Sequence, residues 1–243
     1  MLSGPPVTAI APPEVLLARF QAGTDRQRRS LVAELLKRWQ ELVPLIPGHL
    51  APLERTGDDW AAGFLLQLLA ARCTEAGVPM WPSLDECWLV TTSAVGIDYA
   101  PLQRELISQS FEEADRLTSR HLRELAGAAA VKRGYVYYSE VMEISSIDLD
   151  SMDRLWVCFS RGKFGFSVQG RLLKSLGGRW EKLWPRLGWK QQGRWTRYPG
   201  DFQWSIEAPE GHMPLVNQLR GVRLMDALLQ HPALQRRISP PGS

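Results

Sequence analysis

The sequence has 243 residues, of which 44% are hydrophobic, so it is long enough for one large or two modest domains with an ordinary core. The 29 basic and 26 acidic residues give a net charge of only +3, so composition does not require a broad nucleic-acid-binding surface, and no nucleic-acid partner is expected. The three cysteines form no CxxC or Cys/His pair, which fits a reducing compartment and excludes a disulfide framework.

The first residues lack the features of a targeting or membrane-spanning segment. Residues 1–13 contain four prolines, which remove N–H donors and disfavour helix, so a flexible leader is expected. No basic region precedes an apolar run, and no stretch reaches the roughly 20 apolar residues that cross a bilayer. The chain is therefore expected to be soluble where it is made, which remains compatible with peripheral membrane contact.

Helical periodicity predicts an N-terminal helical bundle over residues 14–91. Thr24 or Asp25 can cap a helix whose leucines recur at spacings of three and four. Asp58 can cap a second strong helix, and the capping-box pattern Ser83–Glu86 predicts the start of a third. These elements predict an all-α fold.

A second domain is predicted over residues 96–234. The segment Thr91–Ala100 breaks the helical pattern and is the predicted boundary. A capping-box pattern at Ser110–Glu113 predicts the start of a helix, and a further helix is predicted from Leu215 to His231. The tail at 235–243 is predicted to be disordered.

Catalytic and metal-binding patterns are missing from the sequence. No nucleophile elbow, HExxH or phosphate-cradling motif occurs, and the four histidines stand in different local settings. An acidic run between Glu140 and Asp153 lacks the glycine and terminal glutamate of an EF-hand loop. We therefore expect neither an enzyme nor a metal site.

Aromatic residues in the second half allow two interpretations. Trp156, Phe159, Phe164 and Phe166 are predicted to lie in the core. Five tryptophans between residues 180 and 204 are separated by glycine and proline, so they fit either a core or an exposed binding surface.

The segment from Asn217 to Arg223 carries basic residues at a helical spacing. Asn217, Arg220 and Arg223 would share one broad side of a helix. Two guanidinium groups beside an aromatic wall would suit a flat apolar ligand with two carboxylates, because each guanidinium offers paired planar donors. A solvated helical face is the alternative.

Several motifs together carry a family resemblance. The chain resembles the genomes-uncoupled-four family of tetrapyrrole-binding regulators of magnesium chelatase. The similarity runs from about Gly96 to Leu234 and includes, in the family's order, Val95–Tyr99, Phe111–Asp115, Tyr138–Val141, Asp153–Trp156, Gly162–Gln169, Leu187–Trp189 and Ala208–Pro214.

The resemblance implies an all-helical core shaped like a cupped hand, often preceded by a helical bundle. It implies binding of protoporphyrin IX and magnesium protoporphyrin IX, without a covalently bound cofactor, and stimulation of magnesium chelatase through its large porphyrin-binding subunit. The expected molecule is a monomer in the cyanobacterial cytoplasm, or in the chloroplast stroma of a plastid-bearing organism. A helical protein-interaction adaptor and a haem- or bilin-binding protein are the alternatives.

The resemblance also implies the porphyrin-binding residues. Tyr138 and Val141 would form the floor of the pocket, and Trp189 and Trp195 would belong to its apolar surface. The carboxylates of the ligand would lie near a flanking loop that carries Asn217, Arg220 and Arg223.

Overall fold

The computed structural model describes residues 11–76, 88–216 and 222–239, and helices dominate all three ranges. In these ranges the strands are confined to the antiparallel hairpin of β1 (Lys190–Gln191) and β2 (Arg194–Trp195). The all-α prediction is therefore confirmed. None of the described helices is both long enough and apolar enough to cross a bilayer.

The chain divides into two compact units, and the first is Met1–Leu53. Its helices are α1 (Pro13–Ala22), α2 (Asp25–Lys37), α3 (Trp39–Leu42) and α4 (Ile46–Leu50). The predicted cap of α2 is present: the Thr24 hydroxyl accepts from the Gln27 N–H, and the Gln27 side chain accepts from the Thr24 N–H. The capping box predicted at Ser83–Glu86 lies outside the described residues.

The second unit is Glu54–Ser243. Its helices are α5 (Trp60–Ala76), α6 (Ala100–Ile107), α7 (Phe111–Leu125), α8 (Ala128–Arg133), the 3₁₀ helix Tyr138–Glu143, α9 (Ser146–Cys158), α10 (Phe166–Ser175), α11 (Trp180–Arg186), α12 (Arg223–Gln230) and α13 (Pro232–Ile238).

Helix α5 belongs to this second unit, whereas the sequence analysis grouped it with the N-terminal bundle. The reason is its tight packing on α9. A Cβ atom at Gly63 would lie 2.1 Å from the Cys158 carbonyl oxygen, so only glycine allows this approach. The buried Gln67 amide donates to the carbonyls of Leu106 at 3.0 Å and Phe159 at 2.6 Å. These bonds tie α5 to α6 and to the end of α9.

The core lies around α9, as the aromatic pattern predicted. Trp156, Phe159, Phe164 and Phe166 are all fully buried, which confirms their assignment to the core. The Trp156 indole N–H donates to the buried Thr118 hydroxyl at 2.9 Å, and this bond fixes α7 against α9. The packing of α7 on α9 therefore sets the orientation of the other faces of α7.

The start of α7 differs from the prediction. The helix begins at Phe111, but the Ser110 side chain makes no capping hydrogen bond. The predicted partner, Glu113, instead accepts a hydrogen bond from the Arg116 guanidinium at 3.3 Å. The predicted capping box at this site is therefore wrong, since the Ser110 side chain does not cap the helix and the Glu113 carboxylate bonds Arg116.

The C-terminal region contains two helices. Pro232 starts α13 rather than only closing the preceding helix, and α13 includes residues 235–238 of the predicted disordered tail. Ile238 is buried, and a Cβ atom on Gly170 would clash with its side chain. Arg237 forms ion pairs with the carboxylates of Asp153, Asp58 and Asp150. This packing explains why the helix extends into the predicted tail.

Candidate functional site

A cavity of about 900 Å³ lies within the second unit. Its walls come from α7, the stretch before the 3₁₀ helix, the loop after β2, the segment at 215–216, and α12. Most lining side chains are apolar or aromatic, which is typical of a site for an organic ligand. The lining residues are Asp115, Arg116, Ser119, Leu122, Arg123, Gly134, Tyr135, Val136, Ile144, Trp195, Thr196, Arg197, Tyr198, Leu215, Val216, Leu224 and Leu228.

One face of α7 supplies the polar part of the wall. Arg116, Ser119 and Arg123 follow one another at spacings of three and four residues, so they lie along one side of the helix. The neighbouring side carries Phe111 and Thr118, which are buried against the core. Because that core face is fixed by packing, the polar face points into the cavity with little freedom.

Asp115 is a buried acidic residue of the cavity wall. Its Oδ1 accepts a hydrogen bond from the Leu215 N–H at 2.6 Å. Its Oδ2 makes no hydrogen bond of good geometry to the described residues, although the Tyr198 hydroxyl is near enough to affect its charge. Burial raises the pKa of Asp115 to about 7, while the Leu215 N–H and the Tyr198 hydroxyl act in the opposite direction. The carboxyl group is therefore partly protonated near neutral pH.

Three arginines among the described residues line the cavity, and they differ in their partners. Arg116 pairs with Glu112 at 2.6 Å and Glu113 at 3.3 Å. Arg123 and Arg197 make no side-chain hydrogen bond or ion pair within residues 11–76, 88–216 and 222–239. These two guanidinium groups leave the cavity able to accept carboxylates.

Trp195 gives the cavity an aromatic surface. Its side chain is 45% exposed and lies on β2. Trp184 contacts it with ring centroids 5.6 Å apart, and Lys190 Nζ lies 5.4 Å from its centroid. The hairpin and α11 thus hold an exposed indole ring at the cavity, where a flat ligand can stack on it.

Trp189 has a supporting role rather than the predicted surface position. It is fully buried, its indole N–H donates to the His212 carbonyl at 2.8 Å, and it stacks on Trp184 at 5.8 Å. Because Trp184 contacts Trp195 in turn, Trp189 is the inner member of the aromatic stack that supports the cavity wall.

The other predicted site residues have different positions. Val141 is fully buried, and Tyr138 is 48% exposed on the 3₁₀ helix. The Arg223 guanidinium lies over the Tyr138 ring, 5.5 Å from its centroid. Among the predicted site residues in the described ranges, Trp195 is the one that lines the cavity. Asn217 and Arg220 lie outside those ranges.

The polar residues of α7 that line the cavity were not predicted from the sequence. Asp115 lies four residues after Phe111 and seven before Leu122, which places a carboxylate on the apolar side of an amphipathic helix. That placement was a readable signal for a functional residue. Arg123 and Arg197 carried no such signal, because exposed arginines are common on helices and loops.

The described residues contain no group of three or more histidine, cysteine or acidic side chains arranged to hold a metal ion. The buried His212 and His231 hydrogen-bond the carbonyls of Leu187 and Ile144, and neither lines the cavity. Their imidazoles act as structural links in the fold.

Comparison with known proteins places this helical core in a family. Residues 92–232 match the model of the GUN4-like family, and they contain every residue that lines the cavity. A Ycf53-like protein of Synechocystis sp. is 51% identical over 140 residues, and the tetrapyrrole-binding protein of Arabidopsis thaliana chloroplasts is 39% identical over 141 residues. The matches cover 58% and 54% of this chain, but only 60% and 53% of the relatives' lengths.

Solved structures show the same relationship. The structure of GUN4 from Chlamydomonas reinhardtii matches with a TM-score of 0.57 and 39% identity, covering 60% of this chain and 93% of that one. The ligand-free structure of Arabidopsis thaliana GUN4 matches with a TM-score of 0.53 and 39% identity, covering 57% and 99%. Because the family model spans more than half of the sequence, the chain belongs to the GUN4-like family.

Proposed function

We propose that the chain binds a tetrapyrrole noncovalently in the cavity beside α7, with protoporphyrin IX and its magnesium complex as ligands. The observation that carries this proposal is the cavity of about 900 Å³ inside the family core, whose wall carries an exposed indole and two guanidinium groups without an ion-pair partner in the described part of the chain. The name of the Arabidopsis thaliana relative, a tetrapyrrole-binding protein, supports the same ligand class.

The chemistry of the wall suits this ligand class. A porphyrin has a large apolar face, which the indole of Trp195 and the side chains of Val136 and Leu228 can cover. Its carboxylates need cationic partners, which the arginines of the wall provide. The predicted floor and loop residues remain part of the proposal: Tyr138, Val141, Asn217, Arg220 and Arg223.

We propose further that the protein is an accessory factor without its own catalysis. In this role it stimulates magnesium chelatase by delivering porphyrin to the enzyme's large porphyrin-binding subunit or by accepting the product, and it acts as a monomer. The proposed location is the cyanobacterial cytoplasm or the chloroplast stroma, because the relatives come from Synechocystis sp. and from Arabidopsis thaliana chloroplasts.

A haem-type site with axial histidine ligation is less well supported. No histidine is among the described residues that line the cavity. His121 and His212 are buried beside other side chains, and burial lowers the pKa of each imidazole. Iron ligation by either residue would require displacement of packed core groups.

A porphyrin titration of the full chain tests the proposed function. The absorbance of the porphyrin is measured as protein is added, and saturable binding of protoporphyrin IX at micromolar concentration is expected. A parallel chelatase assay, with and without the protein, tests stimulation separately. Failure of the protein to bind either porphyrin would rule out the ligand, whereas binding without stimulation would leave only the accessory role unsupported.

A further inference from the structure

Arg123 lies in an unusual position near the end of α7. It lines the cavity next to the buried Leu122 and is itself only partly exposed. In the described part of the chain, its guanidinium group meets no carboxylate and no hydrogen-bond acceptor. Its guanidinium nitrogens are not among the buried polar atoms that lack a partner, so they are open to solvent and can donate to an anionic group of a ligand.

Arg116 provides an internal comparison on the same helix face. Two glutamates of α7 already pair with it, and its side chain is 55% exposed. A carboxylate of a ligand would have to compete with both glutamates for this guanidinium group. The two arginines therefore share a helix and a cavity, but they differ in that Arg123 has no ion-pair partner among the described residues.

Arg197 is the second available cation. It follows Trp195 by two residues in the loop after β2, and this loop lines the cavity. Its backbone N–H donates to Asp201 at 3.4 Å, so the main chain is tied down while the guanidinium group has no partner in the described ranges. A flat ring stacked on Trp195 would place the substituents at its edge close to Arg197.

We propose that Arg123 and Arg197 bind the two carboxylates of a dicarboxylic tetrapyrrole, and thereby select the free acid over its esters. This inference rests on the proposed function and assigns its specificity to residues on α7 and the loop after β2. Arg223, predicted from the sequence for this role, has its guanidinium over the Tyr138 ring instead.

The test compares two ligands and three single variants in the full chain. Protoporphyrin IX and its dimethyl ester are titrated against wild type, Arg123→Gln, Arg197→Gln and the control Arg120→Gln, which replaces an arginine of α7 that pairs with Glu124 and does not line the cavity. Loss of a charge-assisted hydrogen bond is expected to weaken binding of the diacid by about tenfold in each of the first two variants. Binding of the ester should stay within about twofold of wild type in every variant, and Arg120→Gln should change the affinity for neither ligand by more than this.

The outcomes separate this inference from the proposed function. If wild type binds neither ligand, porphyrin binding itself fails. Suppose that wild type binds both ligands. If Arg123→Gln or Arg197→Gln then weakens binding of the diacid and of the ester equally, or weakens binding of neither ligand, carboxylate recognition by that residue is overturned. Unchanged far-ultraviolet circular dichroism and melting temperature are required for each variant. Arg123→Lys, which keeps the charge but loses the planar pair of donors, should give an intermediate loss for the diacid if Arg123→Gln fails to fold.

Discussion

At the scale of single residues, Asp115 is the most distinctive group of the cavity. A carboxylate buried beside apolar side chains is costly when ionised, and this cost raises the pKa of Asp115 from its ordinary value of 3.8 to about 7. Glu112 acts in the same direction, whereas the Leu215 N–H, the Tyr198 hydroxyl and Arg116 favour ionisation. The folded protein therefore holds a proton here that the unfolded chain releases.

The stability of the protein should depend on pH through this residue. Because the folded-state pKa is the higher one, its stabilising contribution is complete below about pH 4 and is lost as the pH rises through about 7. Replacement of Asp115 by asparagine keeps an oxygen acceptor for Leu215 but removes the titration. Relative to wild type, this variant should gain about 2–4 kcal/mol in free energy of unfolding between pH 4 and pH 8.

Urea denaturation at several pH values measures this difference. Asp98→Asn is the matched control, since the Asp98 carboxylate also accepts a backbone N–H, from Ala100 at 2.9 Å, but lies outside the cavity wall. A pH-independent difference between Asp115→Asn and wild type would show that the carboxyl group titrates normally in the folded protein.

Trp195 should contribute to binding through its ring face alone. Trp195→Ala removes the exposed platform, so both the diacid and the ester should bind at least about threefold more weakly, in contrast to the arginine variants. The affinity is measured from the absorbance of the porphyrin, because removal of a tryptophan changes the protein's own fluorescence. Trp180 is the matched control, because it is an indole of the same aromatic stack that does not line the cavity. Equal effects of the two replacements would argue against stacking on Trp195.

At the scale of elements, the crossing of α5 and α9 depends on Gly63. The Cys158 carbonyl oxygen occupies the space that a side chain at this position would need. Gly63→Ala should therefore lower the free energy of unfolding by about 1–3 kcal/mol, as overpacking of a tight interface does. Gly57→Ala is the control, since no atom lies within 4 Å of its added Cβ. Chemical denaturation measures the free energy of unfolding of both variants. Equal values would mean that α5 and α9 accommodate the added methyl group without loss of stability.

Periodicity predicted most of these elements but not their grouping. The leucine spacing and the Thr24 cap identified α2, and the aromatic run identified the core around α9. The assignment of α5 depended on one glycine in contact with a distant carbonyl, which no local pattern reports. The extension of α13 likewise depends on Arg237, whose carboxylate partners are far away in sequence.

At the scale of the whole molecule, the cavity joins segments that are about a hundred residues apart. Asp115 accepts from the Leu215 N–H across this separation, and α12 closes the wall from the C-terminal side. The sequence predicted a flat ligand with carboxylates from the residue types it contains, and the family resemblance predicted its class. The composition of the cavity wall could not be predicted, because tertiary packing alone brings Arg123 and Arg197 to the same cavity.

Binding of porphyrin to this cavity is most directly tested by one titration of the full chain. Tryptophan emission is followed while protoporphyrin IX and, separately, its magnesium complex are added to wild type and to Trp195→Ala. Saturable quenching at micromolar ligand is predicted, with weaker apparent affinity in the variant because its stacking surface is lost. An absence of quenching in wild type, or identical titration curves for the two proteins, would contradict tetrapyrrole binding at the wall formed by α7 and Trp195.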